Sequence, residues 1–243
     1  MQPEERIAAL GFSEADTTTL TEHFLDAESR GKLGHGLSRI DWLETLSDLQ
    51  PDAHPQRLHA EHGYERWDGN GALGYLTLAA IVDAQLADPP AHARVVVASN
   101  CFPTGMLGWY ARRLAEGGLA AAMTATSPAR LPHPEGGEPL AGTNPLAIAI
   151  PSSDGKPIVT DVSMGAVTYG DVLRGAAKPE ELVPFGGDQS HKAFALALGL
   201  QLLVDALAGE GYGALLVVAP PEADPVPALR ERAAGLRLPG DSR

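Results

Sequence analysis

The chain has 243 residues, 44% of them apolar and 20% charged, which is enough to bury a sizeable core in an ordinary globular protein. Its formal charge of −13 argues against nucleic acid or anionic membrane as partners, because both require clustered Lys and Arg, but a small anionic substrate is compatible through local basic groups. A single cysteine, Cys101, excludes an internal disulfide and a cysteine-rich metal site. The polar, acidic start Met1-Gln2-Pro3-Glu4-Glu5 lacks the regions of a signal peptide, and no apolar run of membrane-spanning length is expected. A cytoplasmic location is the expectation.

Residues 13–29 open on Ser13 as an N-cap with Asp16 three places on, and space Leu20, Phe24, Leu25 and Ala27 as one helical face. Gly31 and Gly34 close that helix. In Gly34-His35-Gly36-Leu37-Ser38-Arg39, a histidine between two glycines leaves room for close approach, and Arg39 shares its face if a helix starts there. Residues 40–49 continue as a helix carrying Trp42, Leu43 and Leu46, and residues 50–63 form a loop feeding a short strand. His54, His59 and His62 gather near that loop, but their spacings of five and three match no zinc pattern. Gly69-Asn70-Gly71-Ala72-Leu73-Gly74 matches G-x-G-x-x-G literally. The preceding Tyr64-Glu65-Arg66-Trp67-Asp68 is too polar for the apolar parallel strand that a dinucleotide fingerprint needs. A helix at 75–87 and a strand at 94–98 follow, and the strand ends on Ser99-Asn100-Cys101. Cys101 is read either as a reactive group at a strand end or as a small buried filler. A helix at 109–117 and a strand at 119–126 lead to the next loop.

Gly142-Thr143-Asn144-Pro145 precedes a hairpin whose strands are Leu146–Ile150 and Pro157–Asp161. The proline is expected to hold Asn144 in extended geometry beside Thr143, a corner that either cradles a ligand or satisfies local backbone groups. Asp161-Val162-Ser163-Met164-Gly165 forms a turn whose amides suit phosphate, although such turns are common without any ligand. Gly186-Gly187 precedes a helix at 193–207, with Lys192 at its start as an anion contact or a solvated lysine. Residues 213–219 give a last core strand before a tail rich in Pro, Arg and Ala.

Three stretches in order, Pro132–Gly137, Gly142–Pro151 and Pro184–Lys192, resemble the malate/L-lactate dehydrogenase family of NAD(P)-dependent enzymes outside the Rossmann group. The resemblance implies that His35 and Arg39 face cofactor and substrate, with Gly34 standing where the family has Ser. It implies a proton-transfer position at Cys101, where the family carries histidine. Thr143, Asn144, Ser163, Gly186, Gly187 and Lys192 are the implied contacts of NADH or NADPH. The segment 171–181 replaces a longer cofactor-covering stretch, and the Pro239-Gly240 ending implies internal shortening. A homodimer with active sites near its interface is also implied.

The expected fold is mixed α/β, with an antiparallel-rich central sheet flanked by helices and no Rossmann unit. Residues 1–243 are expected to form one compact unit, with 1–63 and 220–243 as a helical terminal subdomain on a sheet-containing core at 64–219. The leading function is reduction of a small 2-oxo acid or cyclic 2-imino acid, or the reverse. Arg39 would hold the carboxylate through its two-pronged fork, and His35 or Cys101 would handle the proton. The alternatives are a non-redox isomerase, lyase or cyclase using Cys101 and His35, and a catalytically silent binding protein.

Overall fold

Runs of small and β-branched residues separated by apolar-faced helices give the chain its alternating plan. The structure, a computed structural model, describes residues 1–61 and 63–241. Its main elements are α1 (Pro3–Ala8), α2 (Glu14–Ser29), a 3-10 turn at Leu33–His35, α3 (Ser38–Leu43), β1 (Gln56–Glu61), β2 (Tyr64–Asp68), α4 (Gly74–Ala87) and β3 (Arg94–Ser99). They continue as α5 (Leu107–Glu116), β4 (Ala120–Ala125), β5 (Leu146–Ile150), β6 (Ile158–Val162), α6 (Tyr169–Leu173), α7 (Ser190–Ala208), β7 (Ala214–Ala219) and α8 (Val226–Arg232). Among the described residues the strands form a seven-stranded sheet in the order β1-β2-β3-β7-β4-β5-β6. Only β2 and β3 pair in parallel. The mixed α/β fold with an antiparallel-rich, helix-flanked sheet is therefore as the sequence implies.

The core follows from the two-residue period of the strands. Ala98, Ala214 and Ala125 stand in register across β3, β7 and β4, as do Val96, Leu216 and Met123. These small and branched side chains admit α4 and α5, which bring Leu78, Val82, Tyr110 and Leu114 onto the same face. Val97 turns the other way and meets Val204 and Ala208 of α7. A separate cluster of Ile7, Leu20, Phe24, Ile40 and Leu43 joins α1, α2 and α3 to Tyr75 and Leu76 of α4. The C-terminal segment lies on the β5–β6 hairpin, where the Val159 amide donates to the Pro239 carbonyl and Arg230 pairs with Asp154.

Four local expectations are corrected. The helix expected over 40–49 stops at Leu43, and the Thr45 hydroxyl donates to the Trp42 carbonyl where a further turn would begin. Leu25, placed on the buried face of α2, is exposed. Tyr64–Asp68 is a strand in parallel pairing with β3 despite its polarity, because Glu65 and Trp67 point inward and the buried carboxylate accepts from Trp67 Nε1 and Gln85 Nε2. The following glycines serve packing. A Cβ on Gly69 would overlap the Asn100 carbonyl oxygen, and one on Gly74 would lie 2.7 Å from Phe102 N, so residues 100–103 cover the start of α4. Finally, Gly187–Ala208 is apolar and long enough to cross a membrane by length and composition alone. Its packing on β3, β4 and β7 is that of a sheet-covering helix.

Leu114 is fully buried between α5 and the sheet. Leu114→Ala is expected to cost about 2–5 kcal/mol in urea denaturation, and an unchanged midpoint would contradict this account of the core.

Candidate functional site

Strand pairing gathers the site at one end of the sheet. Thr124, Leu146 and Val162 share a rung across β4, β5 and β6, while Ala98, Ala214 and Ala125 share one across β3, β7 and β4. The loops leaving that end therefore converge: 100–106 after β3, 127–131 after β4, 143–145 before β5 and 163–170 after β6. Together with the 3-10 turn and α3 they enclose a cavity of about 120 Å³.

His35, Arg39, Thr143 and Ser163 line this cavity. Burial, then the positive charges of Arg39 and Lys32, push the His35 pKa down to about 4, with Asp171 opposing. Arg39 is buried, its guanidinium lies 4.1 Å from the Trp42 ring, and among the described residues no carboxylate pairs with it. The Thr143 amide donates to Ser127 Oγ at 3.2 Å and its carbonyl accepts from Met164 N at 2.8 Å. Ser163 Oγ accepts from the Gly165 amide at 3.2 Å, so its hydroxyl already shapes the turn.

The other expected residues lie elsewhere. Cys101 is fully buried in the main core, and burial pushes its thiol up to about 12, so no thiolate forms near neutrality. Asn144 is also fully buried and has a φ of 25°, not extended geometry. Its Nδ2 donates to the Ala197 carbonyl at 2.9 Å and to Gln201 Oε1 at 3.0 Å, and its Oδ1 accepts from Ser127 N at 3.3 Å. Asn144 thus ties the hairpin to α7, and the pull of these partners outweighs the preference imposed by Pro145. Gly186, Gly187 and Lys192 are exposed before and at the start of α7 and line none of the cavities at this end.

Comparison with known proteins agrees with this fold. A profile of the malate/L-lactate dehydrogenase family matches residues 3–182. The chain belongs to this family. Over 189 residues it is 31% identical to a 2,3-diketo-L-gulonate reductase of Citrobacter koseri, covering 74% of this chain and 55% of the relative. It is 29% identical to a Delta(1)-pyrroline-2-carboxylate/Delta(1)-piperideine-2-carboxylate reductase of Pseudomonas putida, covering 82% of this chain and 66% of the relative. The chain thus spans between about half and two thirds of these relatives' lengths. The crystal structure of a dehydrogenase from Sinorhizobium meliloti superposes with a TM-score of 0.81 at 25% identity, covering 98% of this chain and 86% of that one.

Packing leaves no room for a side chain at Gly34. Gly170 of α6 packs directly on the Gly34 backbone, and a Cβ at Gly34 would lie 2.7 Å from Thr168 Oγ1. A serine there would push α6 away. Thr168 and Asp171 cap α6 reciprocally, so the start of α6 closes over the cavity from within the chain.

Sequence reasoning did not single out Lys32, Arg130, Asp161 or Tyr169, which also line the cavity. Asp161 Oδ2 accepts from Gly108 N at 3.0 Å at the start of α5, and burial raises its pKa above the usual carboxylate range. Lys32 and Asp161 also border two adjoining cavities of about 310 and 320 Å³. The first is lined by Arg30, Arg112 and Arg237, and Arg112 Nε is buried without a hydrogen-bond partner. This donor set suits phosphate groups, so the residues present fit a nicotinamide dinucleotide spanning the cavities. Among the described residues no group of His, Cys, Asp and Glu is placed to hold a metal; His62 lies outside them.

His23 was also missed. It sits among the rings of Phe24, Tyr75, Trp109 and Tyr110 and accepts from Met106 N at 3.0 Å, bracing the loop that walls the cavity. Burial, then the charge of His35, pushes its pKa from 6.5 to about 3. Below pH 6.5 the unfolded chain binds protons that folded His23 and His35 refuse, so stability falls as pH drops from 6.5 towards 4. Urea midpoints across that range should show the fall and His23→Gln should reduce it, leaving the part due to His35; a profile flat in the parent protein contradicts the two lowered imidazole pKa values.

Proposed function

We propose that this chain reduces a small 2-oxo acid or cyclic 2-imino acid with NADH or NADPH, or catalyses the reverse. The observation that carries the reading is the presence in one cavity of Arg39, which has no carboxylate partner among the described residues, and a neutral His35. The Arg39 fork binds the substrate carboxylate and so orients the neighbouring carbon. Stacking on Trp42 fixes the guanidinium plane before binding. When bound, nicotinamide supplies or accepts the hydride. Lys32, Arg112, Arg237 and Ser163 would hold the cofactor's phosphates.

His35 moves the proton. Burial depresses its pKa most, Arg39 and Lys32 depress it further, and a carboxylate seated on Arg39 cancels part of that positive field. The imidazole therefore becomes easier to protonate with the acid bound, and a ring nitrogen can then donate to the carbonyl oxygen or imine nitrogen. In the reverse direction the neutral ring accepts that proton. Cys101 has no part in this scheme, and its buried neutral thiol gives no support to a non-redox reaction built on a thiolate.

A homodimer in the cytoplasm belongs to the same reading. The exposed Leu196, Leu202, Leu203 and Leu207 of α7 support association, since water-facing leucines on one helix favour burial against a partner.

Fluorescence titration with NADH and NADPH should give saturable binding, and absence of binding at millimolar nucleotide would end the redox reading. With an accepted substrate, Arg39→Met should lower kcat/KM on the order of 100-fold. Cys101→Ser should retain turnover, and loss of activity in a folded variant would return the thiol to the mechanism.

A further inference from the structure

Most arginines of the chain have partners within it. Arg6, Arg94, Arg113 and Arg230 each pair with an Asp or Glu, while Arg39 and Arg130 lie 4.1 and 3.6 Å from the centroids of the Trp42 and Tyr169 rings. Arg112 is different. Among the described residues it has no carboxylate partner, and its Nε is buried without a hydrogen bond. It lines the cavity of about 310 Å³ beside β6, the edge strand of the sheet.

Packing puts Arg112 there. Gly108 and Arg112 lie one turn apart on the same face of α5, and the Gly108 amide donates to Asp161 Oδ2 of β6 at 3.0 Å. A Cβ on Gly108 would lie 3.0 Å from that oxygen, so α5 approaches β6 closely and Arg112 follows one turn later in the cavity wall. A second wall is the C-terminal segment. The Val159 amide donates to the Pro239 carbonyl at 3.2 Å, and a Cβ on Gly240 would lie 2.9 Å from Val159 N, so this segment sits against β6 and brings Arg237 to the cavity. Arg237 is exposed, and its Nη2 donates to the Asp241 carbonyl at 3.3 Å.

The cavity is short of negative charge. Arg30, Lys32, Arg112 and Arg237 line it with two carboxylates, and both of those are engaged. Asp161 accepts from Gly108, and the two oxygens of Asp241 accept from Arg230 and the Leu238 amide at 3.1 and 2.8 Å. Burial, then the charge of Arg30, lowers the Arg112 pKa, so the two guanidinium groups feel each other. A bound dianion relieves that repulsion and gives the buried Nε a partner.

A nicotinamide dinucleotide carries its negative charge in two kinds of group. The pyrophosphate is a pair of diesters with one charge each, whereas the 2′-phosphate that distinguishes NADPH from NADH is a terminal monoester with nearly two charges and three free oxygens. Several guanidinium forks match the monoester. A site that selects NADH offers a carboxylate to the ribose 2′-hydroxyl, and both carboxylates here already have partners. Resting on the reductase reading, we propose that Arg112 and Arg237, together with Arg30, form a subsite for the 2′-phosphate and make the enzyme prefer NADPH to NADH. Lys32 and Ser163, which line the adjoining cavity, are left to the pyrophosphate.

The test uses fluorescence titration with NADPH and NADH, and calorimetry with 2′,5′-ADP, 5′-AMP and inorganic phosphate, on the parent protein, Arg112→Met, Arg112→Lys and Arg237→Ala. The parent protein should bind NADPH and 2′,5′-ADP about 30-fold or more tighter than NADH and 5′-AMP. Arg112→Met should lower the NADPH-to-NADH affinity ratio on the order of tenfold, and Arg112→Lys should recover part of it. Arg237→Ala, a change at an exposed position, should give a smaller loss of the same kind. Equal affinities for the two nucleotides in the parent protein, equal losses for both in Arg112→Met, or inorganic phosphate bound as tightly as 2′,5′-ADP overturn the proposal; turnover of a 2-oxo or cyclic 2-imino acid with NADH would then still uphold the reductase reading. Arg112-dependent binding of NADPH and 2′,5′-ADP without hydride transfer to any such acid upholds the subsite and defeats the redox reading alone.

Discussion

The arrangement depends on β7, the last strand in sequence, lying between β3 and β4. Those two strands never pair with each other; each pairs antiparallel with β7, which joins the β1-β2-β3 and β4-β5-β6 halves of the sheet. Such long-range pairing must overcome a large loop-closure entropy and is secured locally at its start. Gly213 N donates to Thr126 Oγ1 at 2.9 Å, and Thr126 N donates back to the Gly213 carbonyl at 2.9 Å. A Cβ on Gly213 would lie 2.8 Å from the Ala98 carbonyl oxygen, so only glycine fits between the two strands. The Cys101 amide then donates to the Tyr212 carbonyl at 2.8 Å, which fixes the Phe102–Met106 loop to the same junction. The strand that closes the sheet thereby also positions one wall of the cavity.

A second brace acts from below. His23, Tyr75, Trp109 and Tyr110 meet at ring distances of 5.0–5.3 Å, mostly edge to face, and connect α2, α4 and α5. Gly105 crosses over this cluster at a φ of 68°, with His23 and Tyr75 in the space where a side chain would stand. The cavity floor is therefore firmly braced, and its roof is the 163–170 loop leading into α6. The close Gly34–Gly170 contact seats the roof on the 3-10 turn.

The sequence disclosed β3 to β7 and the longer helices and singled out His35 and Arg39, which share one cavity, because each leaves a local signal: two-residue alternation, apolar spacing, or a histidine between glycines; it took the exposed β1 for loop. The dinucleotide-like glycine run misled in one respect, since β2 survives on a buried Glu65 network that polarity alone hides. Asn144 and Cys101 looked chemical, but burial was not readable from their neighbours. What decides Asn144 is Gln201, 57 positions away. Lys32, Arg130 and Tyr169 were overlooked for the same reason: an isolated cation on a loop has no signature until the fold shows what it faces. Their grouping exists only because strand ends from distant parts of the chain share one edge of the sheet.

The charge distribution also limits how an anion finds the site. At −13 the chain as a whole repels acids, yet its cavity presents unpaired cations. Screening resolves the conflict: at physiological ionic strength the Debye length is about 8 Å, so a small acid near the mouth senses mainly Lys32, Arg39 and Arg130. Partial burial weakens screening inside, which makes the local attraction outlast the distant repulsion. Raising the salt therefore removes first the unfavourable outer field and only later the favourable inner one. Aromatic stacking is what sustains this arrangement, because pairing Arg39 or Arg130 with protein carboxylates would neutralise the cavity before substrate arrived.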